Sequence, residues 1–158
     1  EYDLLSNKIL ELENSLQKPI ALMRNNDLPF FDTSISNKAV LSHSISLLNT
    51  RSVKDFQSKI NQKIEAQRFR ANIYIDGIDP WKERELIGKI IKINDVSFKV
   101  ERNITRCVSI NLKPNTDDNS LNLLQSLKKN YNHFEMGIYL TALDDGKINS
   151  GDKVEIII

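Results

Sequence analysis

The sequence has a single cysteine, and this scarcity excludes several classes of protein. Because Cys107 has no second cysteine in the chain to pair with, no intrachain disulfide can form, and the disulfide-stabilised secreted domains are excluded. No apolar run approaches the ~20 residues of a transmembrane helix, and no basic-then-apolar signal segment stands at the start. Internal repeats and low-complexity tracts are also missing. We therefore expect a cytoplasmic globular protein without a membrane partner.

The sequence also lacks an excess of charge of either sign. Lys and Arg number 22 and Asp and Glu 21, a net charge of +1, which argues against nucleic acid as a partner. Hydrophobic residues make up 40% and charged residues 27%, as in ordinary globular chains, and 158 residues favour one domain. A local cluster of arginines nevertheless predicts a site for a small anionic ligand. The cluster comprises Arg68, Arg70, Arg102 and Arg106.

Three segments show the apolar spacing of helices. The first runs from Asp3 to Gln17 and is followed by Pro19, which cannot continue a helix. The second begins at the Ser-x-x-acid sequence of residues 52–55, which predicts a capping box, and the third covers residues 121–127. Two or three helices are therefore expected at the periphery of the fold.

Short apolar or alternating segments predict strands. We expect them at residues 20–23, 39–42, 71–76 and 137–143, at 154–158, and in a three-stranded meander over 89–112. Asp145-Gly146 predicts a hairpin between the last two strands. The strands do not alternate regularly with helices, which argues against a doubly wound parallel sheet. The predicted fold class is mainly β: a curved antiparallel sheet or a β-barrel with peripheral helices.

Cys107 is the first candidate for chemistry. Thiolate is a soft metal ligand, and the adjacent Arg106 is expected to lower the thiol pKa. If the third strand of the meander covers residues 104–112, Thr105 and Cys107 lie on its polar face, where a cysteine is accessible. The alternative is that Cys107 is a small buried hydrophobe, which is common for free cysteines.

A second candidate is the segment Arg68-Phe-Arg-Ala-Asn72. Arginine presents a planar fork of donors that matches phosphate. Arg70 and Asn72 are two residues apart, so on one strand they share a face and would bind a phosphate or a polar ring edge together. The alternative is a pair of solvated positions on an exposed strand.

The loop that follows holds further candidates. Asp76 is placed to orient an arginine or to accept a hydrogen bond from a heterocycle, and Trp81 either stacks on a ligand or covers one end of a barrel. His43 and His133 have no second ligand at the spacing of a zinc site. Nothing in their placement supports a Cys-His hydrolase.

Seven short segments, in a consistent order, carry a resemblance to a known family. They are residues 68–77, 80–83, 86–88, 105–107, 111–114, 136–139 and 148–154. Together they resemble the MOSC family, named for the C-terminal domain of molybdenum cofactor sulfurases, from about Lys38 to the end. The pair Arg-Phe-Arg-x-Asn and Thr-Arg-Cys is the most specific part of the match.

The resemblance is strongest to the longer, two-part members, which include the mitochondrial amidoxime-reducing component. It implies the molybdenum cofactor as cofactor and Cys107 as metal ligand and catalytic residue. It further implies that Arg70 and Asn72 contact the pterin or its phosphate and that Thr105 and Arg106 flank the metal. Asp76 completes the candidate cofactor-binding set. Pyridoxal phosphate binding is a further expectation at the level of the family.

The resemblance also implies a function and a domain organisation. An oxidoreductase that removes oxygen from small N-oxygenated (N-hydroxylated) substrates is expected, with electrons from a separate protein because iron–sulfur cysteines are missing. The alternative is a sulfur carrier or cofactor-binding module with a persulfide on Cys107. Residues 1–37 are expected to be a helix and loop that remain of a missing N-terminal region, and residues 38–158 the MOSC domain. Ala71 departs from the family, where many members have proline.

Overall fold

The computed structural model describes residues 2–19 and 44–157, and the chain divides into two compact units, residues 1–37 and 38–158. In the first unit, helix α1 spans Tyr2–Leu16, which confirms the helix predicted there. Leu12 and Leu16, on its predicted apolar face, are exposed. The strands predicted at 20–23 and 39–42, and His43, lie outside the described residues.

The second unit is built on a six-stranded sheet within residues 44–157. Its strands are β1 Ile45–Asn49, β2 Ile73–Ile75, β3 Ile90–Ile93, β4 Val96–Thr105, β5 Glu135–Ala142 and β6 Val154–Ile157. Their order is β2-β1-β5-β4-β3-β6, and every neighbouring pair is antiparallel except β1 and β2. The sheet curls into a half-barrel, which confirms the predicted fold class.

Within residues 44–157, two helices and three short 3-10 turns complete this unit. The helices are α2 Thr50–Ile60 and α3 Leu123–Tyr131, and the turns are Ala66–Phe69, Lys82–Leu86 and Val108–Asn111. Over residues 2–19 and 44–157, the structure contains no helix with the length and apolar character needed to cross a membrane.

The sheet buries apolar side chains on both faces. One core cluster includes Leu47, Phe98 and Ile138, and the other includes Leu48 and residues of α2 and α3. A fully buried side chain of this size contributes roughly 1.5–3 kcal/mol. β1 was missed in the sequence because Leu47 and Leu48 are adjacent and both fully buried, so the strand shows no alternation.

The predicted capping box at the start of α2 is wrong. Asn49 caps the helix instead, and its side chain accepts a hydrogen bond from the Arg51 amide. Ser52 lies inside the first turn, fully buried, and its Oγ donates to the Glu83 carboxylate at 2.7 Å. Because Glu83 is also fully buried, it needs this donor. Ser52 therefore links α2 to the 3-10 turn Lys82–Leu86 and does not cap the helix.

The meander and the final hairpin also differ from the prediction. β4 ends at Thr105, and the predicted third strand is replaced by a 3-10 turn whose Ile110 is buried in the second core cluster. β6 pairs with β3 and not with β5, so Asp145-Gly146 does not close a hairpin. β2 covers only Ile73–Ile75, because Arg70 adopts a left-handed conformation before it.

Candidate functional site

Cys107 lies at the point where β4 gives way to the 3-10 turn over residues 108–111. The cysteine is exposed, and its Sγ lies 2.9 Å from the Ser109 Oγ. Hydrogen bonding from the Ser109 side chain, followed by that from its backbone, lowers the pKa of the Cys107 thiol, and the charge of Arg106 adds a smaller effect. A lowered thiol pKa increases the thiolate, which is the form that binds metals and attacks electrophiles. The buried-hydrophobe alternative for Cys107 is therefore excluded.

The serine can be tested directly. Ser109→Ala is expected to raise the pKa of Cys107, because it removes the largest contribution that favours the thiolate. With less thiolate at neutral pH, alkylation of Cys107 by iodoacetamide should be severalfold slower, and the pH–rate curve should move to higher pH. Ser58→Ala, on the exposed face of α2, is the matched control. A pH–rate curve unchanged in Ser109→Ala would contradict the assignment.

Cys107 opens into a cavity of about 220 Å³. Three predicted site residues, Arg70, Thr105 and Arg106, line the same cavity. Its other lining residues are Ser46, Arg68, Phe69, Ile104, Ser109, Ile110 and Tyr139. The lining thus holds three arginines and no carboxylate. A cavity lined by cationic side chains without carboxylates favours an anionic ligand.

Arg70 supplies the free cation of the cavity. It follows the 3-10 turn Ala66–Phe69 with φ 49° and ψ 43°, and its amide donates to the Gln67 carbonyl. Within residues 2–19 and 44–157, the guanidinium has no hydrogen-bond or ion-pair partner, and Arg70 is exposed. Its donors therefore remain available for a phosphate or another oxyanion.

Asn72 is exposed and does not line the cavity. Its Oδ1 accepts hydrogen bonds from the Ser46 amide at 2.9 Å and from the Ser46 hydroxyl at 2.7 Å. The prediction that Arg70 and Asn72 share a strand face is wrong, because β2 begins only at Ile73. Asn72 instead holds Ser46, which lines the cavity.

Asp76 belongs to a different surface. It accepts hydrogen bonds from Arg51 at 2.7 Å and from Lys54 at 3.1 Å, and these bonds hold its pKa well below the usual range. It lines a second cavity of about 580 Å³, together with the loop over residues 148–154. The structure therefore does not bring Asp76 together with Cys107.

The other arginines of the predicted cluster have separate roles. Arg68 is only 2% exposed and donates to the Glu65 carboxylate at 2.7 Å and to the Asn111 carbonyl at 2.6 Å. Arg102 lies over the Tyr139 ring, 5.5 Å from its centroid. The four arginines therefore do not form one anion site.

Arg106 is turned into the protein. Its Nε donates to the Met136 carbonyl at 2.7 Å, and Nη1 donates to the Phe69 carbonyl at 2.8 Å. Burial lowers its pKa to about 10, so the guanidinium keeps its charge at neutral pH. Arg106 flanks Cys107 in sequence, but its hydrogen bonds go to the backbone.

Trp81 and His133 take part in packing. The Trp81 Nε1 donates to Asp55 at 2.8 Å, and its ring lies 4.3 Å from that of Tyr131. His133 Nε2 lies 2.8 Å from Arg84 Nη1. Trp81 is therefore held by contacts with other side chains, and its covering of one end of a barrel stays a prediction. Throughout residues 2–19 and 44–157, the structure shows no group of three His, Cys, Asp or Glu residues able to hold a metal.

Sequence reasoning missed three residues of the cavity: Ser46, Ser109 as a thiol partner, and Tyr139 as a lining residue. Ser46 lies on the strand that the sequence did not reveal. For Ser109, the signal in the sequence is its position two residues after Cys107, which on the strand predicted over residues 104–112 puts both side chains on one face. A turn places these two side chains together, whereas a strand places residues i and i+2 about 7 Å apart.

Comparisons with known proteins relate the chain to a family. The sequence profile of the MOSC domain matches residues 34–155. The chain is 33% identical to a molybdenum cofactor sulfurase of Drosophila willistoni over 107 residues, and the match covers 66% of this chain and 13% of that protein. It is 32% identical to a molybdenum cofactor sulfurase of Caenorhabditis elegans over 115 residues, covering 68% of this chain and 16% of that protein.

A solved structure shares the fold. YiiM from Geobacillus stearothermophilus superposes with a TM-score of 0.56 at 15% identity, over 72% of this chain and 54% of that chain. The chain spans only a small part of the length of the curated relatives that it matches. On its sequence profile and on its similarity to these relatives, the chain belongs to the MOSC domain family.

Proposed function

We propose that this MOSC domain binds the molybdenum cofactor and that Cys107 is the protein ligand to molybdenum. The observation that carries the proposal is an exposed cysteine of lowered thiol pKa in a cavity that also holds the unpaired guanidinium of Arg70. A soft thiolate suits the metal, and a free arginine suits the phosphate of the pterin. The two names of the sulfurase relatives support the same cofactor.

The donor set of the cavity fits a metal that arrives with ligands of its own. A metal held by protein side chains alone needs several of them, and residues 2–19 and 44–157 offer no such group. Cys107 would be the one ligand needed from the chain if the metal came with the dithiolene sulfurs of the pterin already bound. Arg70 and Arg106, which form no ion pair among the described residues, would then balance the negative charge of phosphate and dithiolene, whereas Arg68 is already paired with Glu65.

The cavity holds only part of such a ligand. Its volume of about 220 Å³ is below the roughly 300–1,000 Å³ of most small-molecule pockets. We assign the metal-bearing end to Cys107 and the phosphate to Arg70, with Thr105 as a polar wall. Asn72 acts indirectly through Ser46, and Asp76 has no role in this proposal.

The proposed reaction is the reduction of small N-oxygenated compounds. The bound metal would supply two-electron chemistry, which protein side chains lack. For an N-hydroxylated substrate, two electrons and two protons convert the N–OH group to N–H and release water. A separate electron-donor protein in the cytoplasm would provide the electrons. The chain's own part is to hold the metal through Cys107 and to keep cationic groups beside it.

A sulfur carrier is the second candidate. The relatives are named sulfurases, and an accessible thiol of lowered pKa is suited to carrying a persulfide. In this alternative, the Cys107 thiolate takes the outer sulfur of a donor persulfide and releases the donor as a thiolate. Cys107 then passes that sulfur to the thiolate of an acceptor, so no net oxidation occurs and the domain performs no redox catalysis of its own.

Metal and mass analysis distinguish the two candidates. The chain and the longest translated form of its gene should both be produced in a host that makes the cofactor. Near-stoichiometric molybdenum, with pterin fluorescence after oxidative release, is the expected result. A persulfide mass on Cys107 without molybdenum in either form would favour the carrier. A protein with neither would reject both candidates.

A further inference from the structure

We propose that Arg106 is the positioning residue of the cavity. By donating hydrogen bonds to backbone carbonyls of β5 and of the turn over residues 66–69, it fixes the positions of Cys107 and Arg70 relative to each other. The inference rests on the proposed function, because it concerns how the metal ligand and the phosphate-binding residue are held together.

Arg106 is anchored through its backbone and through two nitrogens of its side chain. Its amide donates to the Phe134 carbonyl at 2.8 Å. Its Nε donates to the Met136 carbonyl on β5, and its Nη1 reaches the Phe69 carbonyl, 37 residues earlier in the chain. The guanidinium also lies over the Phe69 ring, 5.5 Å from the centroid. These contacts join β5 to the turn over residues 66–69.

The two anchored segments are the ones that present the site. Phe69 directly precedes Arg70, and Arg106 directly precedes Cys107. A shift of the Phe69 carbonyl therefore moves Arg70, and a shift of Arg106 moves Cys107. Phe69 is fully buried, whereas Arg70 is exposed. The hydrogen bond from Arg106 to the Phe69 carbonyl therefore fixes the backbone next to the free guanidinium of Arg70.

The protein makes room for this arginine at Gly137. Gly137 has φ +79°, and a Cβ there would lie 3.0 Å from Arg106 Nη2 and 2.6 Å from the Leu47 carbonyl oxygen. Lysine cannot replace the arginine, because an ammonium on a flexible stem lacks the planar fork that reaches two carbonyls at once. The geometry thus requires the guanidinium itself and not merely a positive charge.

The reactivity of Cys107 tests the inference without any metal. Two disulfide reagents are compared at one neutral pH: dithiobis(nitrobenzoate), which carries two carboxylates, and neutral dithiodipyridine. Both reagents meet the same fraction of thiolate, so the ratio of their rates reports the cationic field at Cys107. Arg70→Gln should lower the ratio by roughly tenfold, the lower end of electrostatic steering.

Arg106→Lys should lower the ratio nearly as far as Arg70→Gln, although it keeps the charge. Arg102→Gln is the matched control, since it removes a nearby charge that contacts a ring and not the backbone, and it should retain most of the ratio. A folded Arg106→Lys protein with the wild-type ratio would overturn the inference. So would a wild-type ratio equal to that of Arg70→Gln.

A measurement on the unmodified protein applies if Arg106→Lys does not fold. In nitrogen-15 spectra, the Nε proton of Arg106 should exchange with water far more slowly than that of the exposed Arg102. Equal exchange rates would show that the backbone contacts are not maintained and would reject the inference. The proposed function fails separately if wild-type protein contains no molybdenum. In that case the ratio of the two reagent rates would still be higher in wild type than in Arg70→Gln.

Discussion

Replacing Cys107 by serine is expected to remove nearly all molybdenum from the purified protein. A hydroxyl is a harder ligand than a thiol and ionises far less readily, so it is a poor substitute for a thiolate on a soft, sulfur-bound metal. Cys107 is exposed and its side chain contacts Ser109, so without cofactor the variant and wild type should have free energies of unfolding within about 0.5 kcal/mol of each other. Metal analysis is run on protein from a host that makes the cofactor, and urea denaturation on both proteins from a host that lacks it.

Ser109→Ala is the matched control for that experiment. It alters the same short turn and loses the hydrogen bond to the thiol, but it keeps the sulfur. We expect this variant to retain most of its molybdenum. If Cys107→Ser retained as much metal as Ser109→Ala, the thiolate would not be the ligand, and the molybdenum proposal would lose its central residue.

Gly137→Ala is expected to lower the free energy of unfolding by about 3 kcal/mol, from backbone strain together with overpacking. The added Cβ would lie 2.6 Å from the Leu47 carbonyl oxygen, a contact that requires β1 or β5 to move. The residue also has φ +79°, where L-amino acids are strained. Because β5 pairs with both β1 and β4, a shift there affects the centre of the sheet.

Gly88→Ala separates the two causes. Gly88 has nearly the same conformation, φ +81°, but a Cβ there would meet no heavy atom within 4 Å. This variant should lose only the strain component, on the order of 1 kcal/mol. Urea denaturation of both variants gives the difference that belongs to the steric contact. Equal losses in the two variants would show that the sheet accommodates the methyl group.

The fold class was predictable because β3 and β4 have buried residues at alternate positions. In β4, Val96, Phe98 and Val100 are buried and their neighbours are not, and this pattern was visible in the sequence. β1 could not be recognised, since both of its faces are buried. The prediction of a hairpin at Asp145-Gly146 was wrong for a different reason. A turn sequence indicates where the chain reverses, but it does not determine which strand the next segment pairs with.

The site was predictable in its chemistry and less so in its geometry. Cys107 and Arg70 were identified, and the structure places them around one cavity. The roles of Arg68 and Arg106 could not be read from the sequence, because an arginine that bonds to buried carbonyls looks the same there as one that faces a ligand. Tertiary contacts decide between these roles, and for Arg106 the contact with Phe69 spans 37 residues.

That long contact has a consequence for how the domain folds. The walls of the cavity come from segments far apart in the chain, so the cavity forms only after β1, β5 and β4 have paired. A ligand that touches both walls cannot bind the unfolded chain in the same way, and its binding free energy therefore adds to the stability of the folded state. At a ligand concentration 100 times its Kd, the addition is about 2.7 kcal/mol. Loading and folding of this domain are thus one linked equilibrium, and the loaded protein should unfold at a higher temperature than the empty one.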